Sequence, residues 1–189
     1  TIQSTRSNLT VGGAVGQNQK NATVTNMKVN ANDTSIFNGF SGYKYLGGVV
    51  GENIGTVEDS GFSGTIKENT GAAGNCYGGI AGINMPGAEL KNCSVGKITM
   101  TINGVYTATS TSTAAQKEAL ATHAGGIVGK NEENAAIDGC TLENNADSKL
   151  TAKYGMLGGV AGFNKGKITM SGSSITPDVM NDADTTDEL

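Results

Sequence analysis

Cys76, Cys93, Cys140 and His123 are the side chains of this sequence best suited to thiol or metal chemistry. A thiol nucleophile needs a base within hydrogen-bond reach, and a structural metal needs several ligands, usually announced by Cys-x-x-Cys or paired Cys/His spacings. Neither spacing occurs. Cys76 stands alone before a glycine-rich stretch, and His123 has no Ser/Asp or second-ligand pattern near it. The carboxylates Glu58-Asp59, Glu132-Glu133 and Asp138 are scattered, and nothing in their spacing selects two of them as a glycosidase pair. The expectation is therefore no catalytic residue, no cofactor and no metal.

Phosphate chemistry is equally unsupported. The glycine-rich stretches lack both G-x-G-x-x-G opening a helix and a terminal Gly-Lys-Ser/Thr. With 13 Lys and Arg against 17 Asp and Glu, the formal charge is −4, and no basic run exists to follow a nucleic acid backbone. No nucleic acid partner is expected. No direct membrane insertion is expected either, because no stretch approaches the roughly 20 apolar residues that a helical span requires.

What the sequence does carry is a repeat. VGGAVGQN, LGGVVGEN, YGGIAGIN, AGGIVGKN and LGGVAGFN begin at Val11, Leu46, Tyr77, Ala124 and Leu157, with spacings of 35, 31, 47 and 33 residues. Periods of this size mark single supersecondary units that need a neighbour to bury their apolar side. After each box come a short turn and an alternating apolar pattern, as in Val57-x-x-Ser60-x-Phe62 and Ile137-x-x-Cys140-x-Leu142. The three-residue step before the middle member breaks a period of two and predicts a corner or bulge there. Return segments such as Ile98-Thr-Met100-Thr-Ile102 add further strands.

Together these features predict an all-β chain wound as a parallel β-solenoid, or β-helix, of about five coils, each returning its box beside the preceding one. Both parities of the box are apolar or glycine, so the box strand needs cover on both faces. The paired box glycines either permit close backbone approach or supply positive φ. The aromatic share is only 5% and Trp is absent, so the core must be built from Val, Ile, Ala and Leu.

Stacking fixes two columns of interest. Asn18, Asn53, Asn84, Asn131 and Asn164 fall above one another, where amides form a ladder or bond the adjacent turn. Met27, Ser60, Cys93, Cys140 and Ser171 form a column of small, buried side chains. Parallel Cβ vectors favour free thiols over a Cys93–Cys140 bridge. The long spacing holds an insertion over 103–123, in which Thr113-x-x-Gln116 can form a capping box ahead of a short helix over 114–121. Residues 1–10 read as a lead-in or cap, 11–176 as the repeats and 177–189 as an acidic tail or linker.

The pattern Gly47-Gly48-Val49-Val50-Gly51-Glu52-Asn53-Ile54-Gly55-Thr56-Val57 resembles the GLUG motif, and Gly158 through Gly166 with Ile168 is similar. The resemblance spans roughly 11–175, with Cys93 and Cys140 at the motif cysteine and Met27, Ser60 and Ser171 replacing it. It implies parts of large bacterial surface or secreted proteins, adhesin-like chains among them, and hence an extracellular or cell-surface location. The function expected is a non-catalytic structural or adhesive repeat module. Its partners would be a host glycan, extracellular matrix or another surface protein, with neighbouring domains of a longer chain. The alternative is a carbohydrate-binding or carbohydrate-processing β-helix. Ice binding is disfavoured, because the Thr residues do not recur as a fixed column.

Overall fold

Residues 9–31, 37–38, 43–68, 73–104, 109–143, 147–171 and 178–181 are described by the computed structural model. The first coil holds β1 (Leu9–Gly12), β2 (Val15–Asn18), β3 (Thr23–Thr25) and β4 (Lys28–Ala31), followed by β5 (Phe37–Asn38). The second holds β6 (Tyr43–Gly47), β7 (Val50–Asn53), β8 (Thr56–Glu58) and β9 (Gly61–Lys67). The third comprises β10 (Cys76–Gly78), β11 (Ala81–Asn84), β12 (Glu89–Lys91) and β13 (Ser94–Ile102), and α1 (Ala114–Leu120) follows it. The fourth comprises β14 (His123–Gly125), β15 (Val128–Asn131), β16 (Ala136–Leu142) and β17 (Lys149–Ala152). The last contains β18 (Met156–Gly158), β19 (Ala161–Asn164), β20 (Lys167–Met170) and β21 (Asp178–Asn181).

Among the described residues every strand pairing is parallel and joins successive coils. One five-stranded sheet runs β1-β6-β10-β14-β18, and a second runs β19-β15-β11-β7-β2. The third and fourth strands of each coil build the remaining walls, which merge where β13 also pairs with β16. Register is set by the boxes, with Leu46 opposite Val11 and Tyr77, and Asn84 opposite Asn53 and Asn131. Five stacked boxes, each one winding from the last, make the expected parallel β-solenoid.

Each box is not one strand but two, bent at Gly48-Val49 in the second coil and at the equivalent pairs elsewhere. An all-apolar box carries no periodicity to reveal this bend. Close approach, not positive φ, explains the box glycines, none of which has φ in the left-handed region. A Cβ on Gly48 would overlap the Gly79 carbonyl oxygen of the next coil and the Phe62 ring. Val29, Val95 and Leu142 lie against Gly13, Gly79 and Gly126 in the same way. The second box glycine is thus the floor on which the first residue pair of the fourth wall packs.

The predicted corner before the small-residue column is built by a left-handed residue, Asn26, Asp59, Asn92 or Gly139, at φ between 50° and 63°. These are the residue types that tolerate this conformation best. Coil five has no such residue among those described. Met170, not Ser171, therefore stands opposite Cys140, while the Ser171 N–H bonds the Cys140 carbonyl.

The interior is a continuous apolar column of Val49, Val57, Phe62, Ile66, Ile80, Leu90, Val95, Ile98, Met100, Ile127, Ile137 and Leu150. Ile98, Met100 and Ile102 point inward from β13 while Thr99 and Thr101 are half-buried. The predicted helix forms with its capping box: Thr113 Oγ1 accepts from Gln116 N, and the Thr113 N–H donates to Gln116 Oε1. Of the segment expected as an acidic tail, Asp178–Asn181 adds a strand beside β17. Residues 1–8, 177 and 182–189 of the expected cap and tail lie outside the described residues.

Candidate functional site

The asparagine column is a hydrogen-bonded ladder. Asn18 Nδ2 donates to Asn53 Oδ1 at 2.8 Å, Asn53 to Asn84 at 2.8 Å, Asn84 to Asn131 at 2.9 Å and Asn131 to Asn164 at 2.8 Å. Each Nδ2 also reaches a backbone carbonyl of the next coil, such as Glu89 O at 3.1 Å from Asn53. Asn53, Asn84 and Asn131 are fully buried, so these bonds are what makes burying a carboxamide tolerable. Asn164, exposed at the end of the row, turns its own Nδ2 to the Gly166 carbonyl.

The small column is buried only at Ser60, Cys93 and Cys140. Met27 is 39% exposed, because the outermost coil has a described neighbour on one side only. Ser171 is exposed because the missing left-handed residue shifts it out of the column. All three cysteines are free. The Cys140 thiol is held above the usual thiol range, first by its hydrogen bond to Cys93 and then by burial.

A second column was invisible to a search along the chain. Tyr45, Cys76, His123 and Met156 each precede a box, and parallel pairing sets them in one register on β6, β10, β14 and β18. The shared offset from the box was the available signal. A matching column of Glu52, Ile83, Lys130 and Phe163 stands on the second sheet. Between them, beneath α1, is a cleft of about 240 Å³ whose walls include Tyr45, Cys76, Ile83, Met85, His123 and Lys130. Glu118 and Ala119 of α1 form its roof. Gly74, at φ +75°, lets the preceding loop pass the helix, for a Cβ there would lie 2.6 Å from Ala119 O.

The cleft couples a thiol to an imidazole. Cys76 Sγ lies 3.8 Å from His123 Nδ1, both residues are buried, and His123 Nε2 has no hydrogen-bond partner. Burial pushes the Cys76 thiol up to about 12. Burial, aided by the positive charge of Lys130, pulls His123 down to about 4. The pair is neutral thiol beside neutral imidazole, the reverse of an activated thiolate.

Four charges tie the helix to the coils. Glu118 meets Lys130 at 2.9 Å and Lys165 at 2.6 Å, and Lys130 also meets Glu132 at 2.6 Å. Burial opposes the charged form of Glu118, but hydrogen bonds from Lys165 and Lys130 outweigh it and hold its carboxyl below the ordinary range. Lys130 and Lys165 also lie against the Phe163 ring, at 5.8 and 5.6 Å from its centroid.

On the opposite face of β10, Tyr77 turns inward and donates to Glu68 Oε1, while Asn75 Nδ2 donates to the Tyr77 oxygen at 3.0 Å. The Gly104 N–H reaches Glu68 Oε2 at 3.4 Å. Burial lifts Glu68 above the usual carboxylate range against its hydrogen bonds from Tyr77, Gly104 and Asn75. The carboxylates singled out in the sequence do not converge: Glu58 and Asp138 flank Lys91 in one column, and Glu132 is engaged by Lys130.

The family model of the GLUG motif matches residues 42–67. The matched residues resemble one GLUG motif. They coincide with β6 through β9, so one motif is one complete coil, and the other four coils repeat its geometry around the same ladder. No curated protein and no solved structure matches the chain.

Proposed function

We propose that this chain is a non-catalytic, extracellular repeat module of a bacterial surface protein, serving as a spacer or as an adhesive face. The observation that supports the reading is the uninterrupted buried row from Asn18 to Asn131, flanked by apolar core. It commits the interior and its buried amides to holding coils together. Function then falls to the outer walls, which offer many shallow contacts along the stack. A host glycan, extracellular matrix or another surface protein is the partner class.

A shallow cleft on the outer wall favours a carbohydrate ligand as the alternative. Lys28, Asn30, Ser63, Ser94 and Glu143 fringe a space of about 290 Å³ over Gly61 and Gly96. Alternating hydroxyl, amide and charged groups of this kind complement sugar hydroxyls. Binding of the intact chain to a glycan array and to matrix-coated surfaces, alongside polysaccharide incubation, separates the readings. Retention without new reducing ends is expected, whereas release of reducing ends would overturn the non-catalytic assignment.

A further inference from the structure

We propose that Cys76, His123 and Met85 form a binding site for a monovalent soft metal ion, copper(I), in the cleft beneath α1. Cys76 Sγ and His123 Nδ1 are 3.8 Å apart in the cleft that Met85 also lines. With metal–sulfur and metal–nitrogen bonds of about 2.3 and 2.05 Å, that separation gives an angle of about 120° at a bridging ion. An angle of that size suits trigonal coordination, and the third position would face the cleft whose walls include Met85.

The donor set selects the ion. Thiolate, imidazole and thioether are soft to intermediate ligands and suit copper(I) over hard divalent ions. Among the described residues no group of three His, Cys, Asp or Glu side chains converges on a point, so the usual structural zinc set is not assembled. The neighbouring carboxylates are also engaged, since Glu118 and Glu132 pair with Lys130, and Glu118 with Lys165. Charge points the same way. A monovalent ion replacing the thiol proton leaves the buried pair neutral, with one proton released to solvent, whereas a divalent ion would leave a net positive charge beside Lys130. His123, 2% exposed, has no partner on Nε2 and only the long thiol contact on Nδ1. Ligation at Nδ1 would replace that long thiol contact and keep the imidazole proton on Nε2.

The test is an anaerobic titration of the full chain with copper(I) against a chromophoric competing chelator, followed by X-ray absorption at the copper edge. One ion per chain, one proton released and a first shell of sulfur with one nitrogen are expected. The nitrogen identifies the site, because the sequence has a single histidine and Cys93 and Cys140 pack beside each other. Cys76→Ser should weaken affinity at least about 100-fold, and Met85→Leu about tenfold, taking loss of a ligand to cost no less than loss of a supporting contact. Met85 sits on a half-buried turn, so Met85→Leu decides the matter if Cys76→Ser does not fold. Failure of the wild type to compete, an all-sulfur shell, unchanged affinity in Met85→Leu, or displacement of copper(I) by equimolar zinc(II) would each overturn the proposal. None of these results bears on glycan or matrix binding, so the adhesive reading stands or falls separately.

Discussion

A methyl group on Gly48 has nowhere to go, since the Gly79 carbonyl and the Phe62 ring already occupy its place. Gly48→Ala should therefore cost about 3 kcal/mol or more in urea denaturation, in the range of severe overpacking. Gly16→Ala meets only Thr10 O, at 3.3 Å, and should cost under about 1 kcal/mol. The ladder gives a similar contrast. Asn84→Ala removes a donor and an acceptor from the buried row and leaves Asn53 Nδ2 and Asn131 Oδ1 each short of a partner, at about 2–4 kcal/mol. At the exposed end Asn164→Ala should cost about 1 kcal/mol or less. Glu68 sets a pH dependence. Its folded-state carboxyl keeps its proton to higher pH than an ordinary glutamate does, so the folded state binds more protons than the unfolded chain across that range, and stability falls as pH rises. Glu68→Gln removes this slope. The stability difference between variant and wild type should grow from pH 4 to 7 in urea melts, and a constant difference would contradict the assignment.

At the scale of elements, α1 is fastened by its cap and by Glu118, not by apolar packing, for none of its residues is fully buried. Thr113→Ala should cost about 1 kcal/mol locally and raise amide exchange over Ala114–Leu120 without changing exchange in β10 through β13. The helix was readable because its capping box is a local signal of fixed spacing. The ladder was readable because the asparagines end identical boxes. The split of each box into two strands was not, since a run of apolar and glycine residues has the same periodicity whether straight or bent. Ser171 was misplaced for a related reason: the left-handed residue that sets the spacing in four coils is absent from the fifth, and only the register with β16 reveals it. The Cys76–His123 pair lay 47 residues apart in sequence, and its proximity depends on parallel stacking across the insertion, which a scan for short metal or catalytic motifs does not sample.

For the whole molecule, stability is the sum of coils and of the contacts between neighbours. The fully buried side chains concentrate in coils two to four, while the strands of coils one and five are mostly half-buried. Native-state hydrogen exchange should show the slowest amides in β7, β11 and β15 and progressively faster ones in β2 and β19. Uniform protection would instead indicate a single cooperative block. The fold class was legible because repetition is a global property that survives weak local signals. One consequence of the amide row extends beyond this chain. From Asn18 to Asn131 each carboxamide donates toward the next, more C-terminal coil, which gives the stack an intrinsic polarity. An added winding can join only head to tail, because an inverted one would set like groups face to face; elongation of such an array is directional by construction.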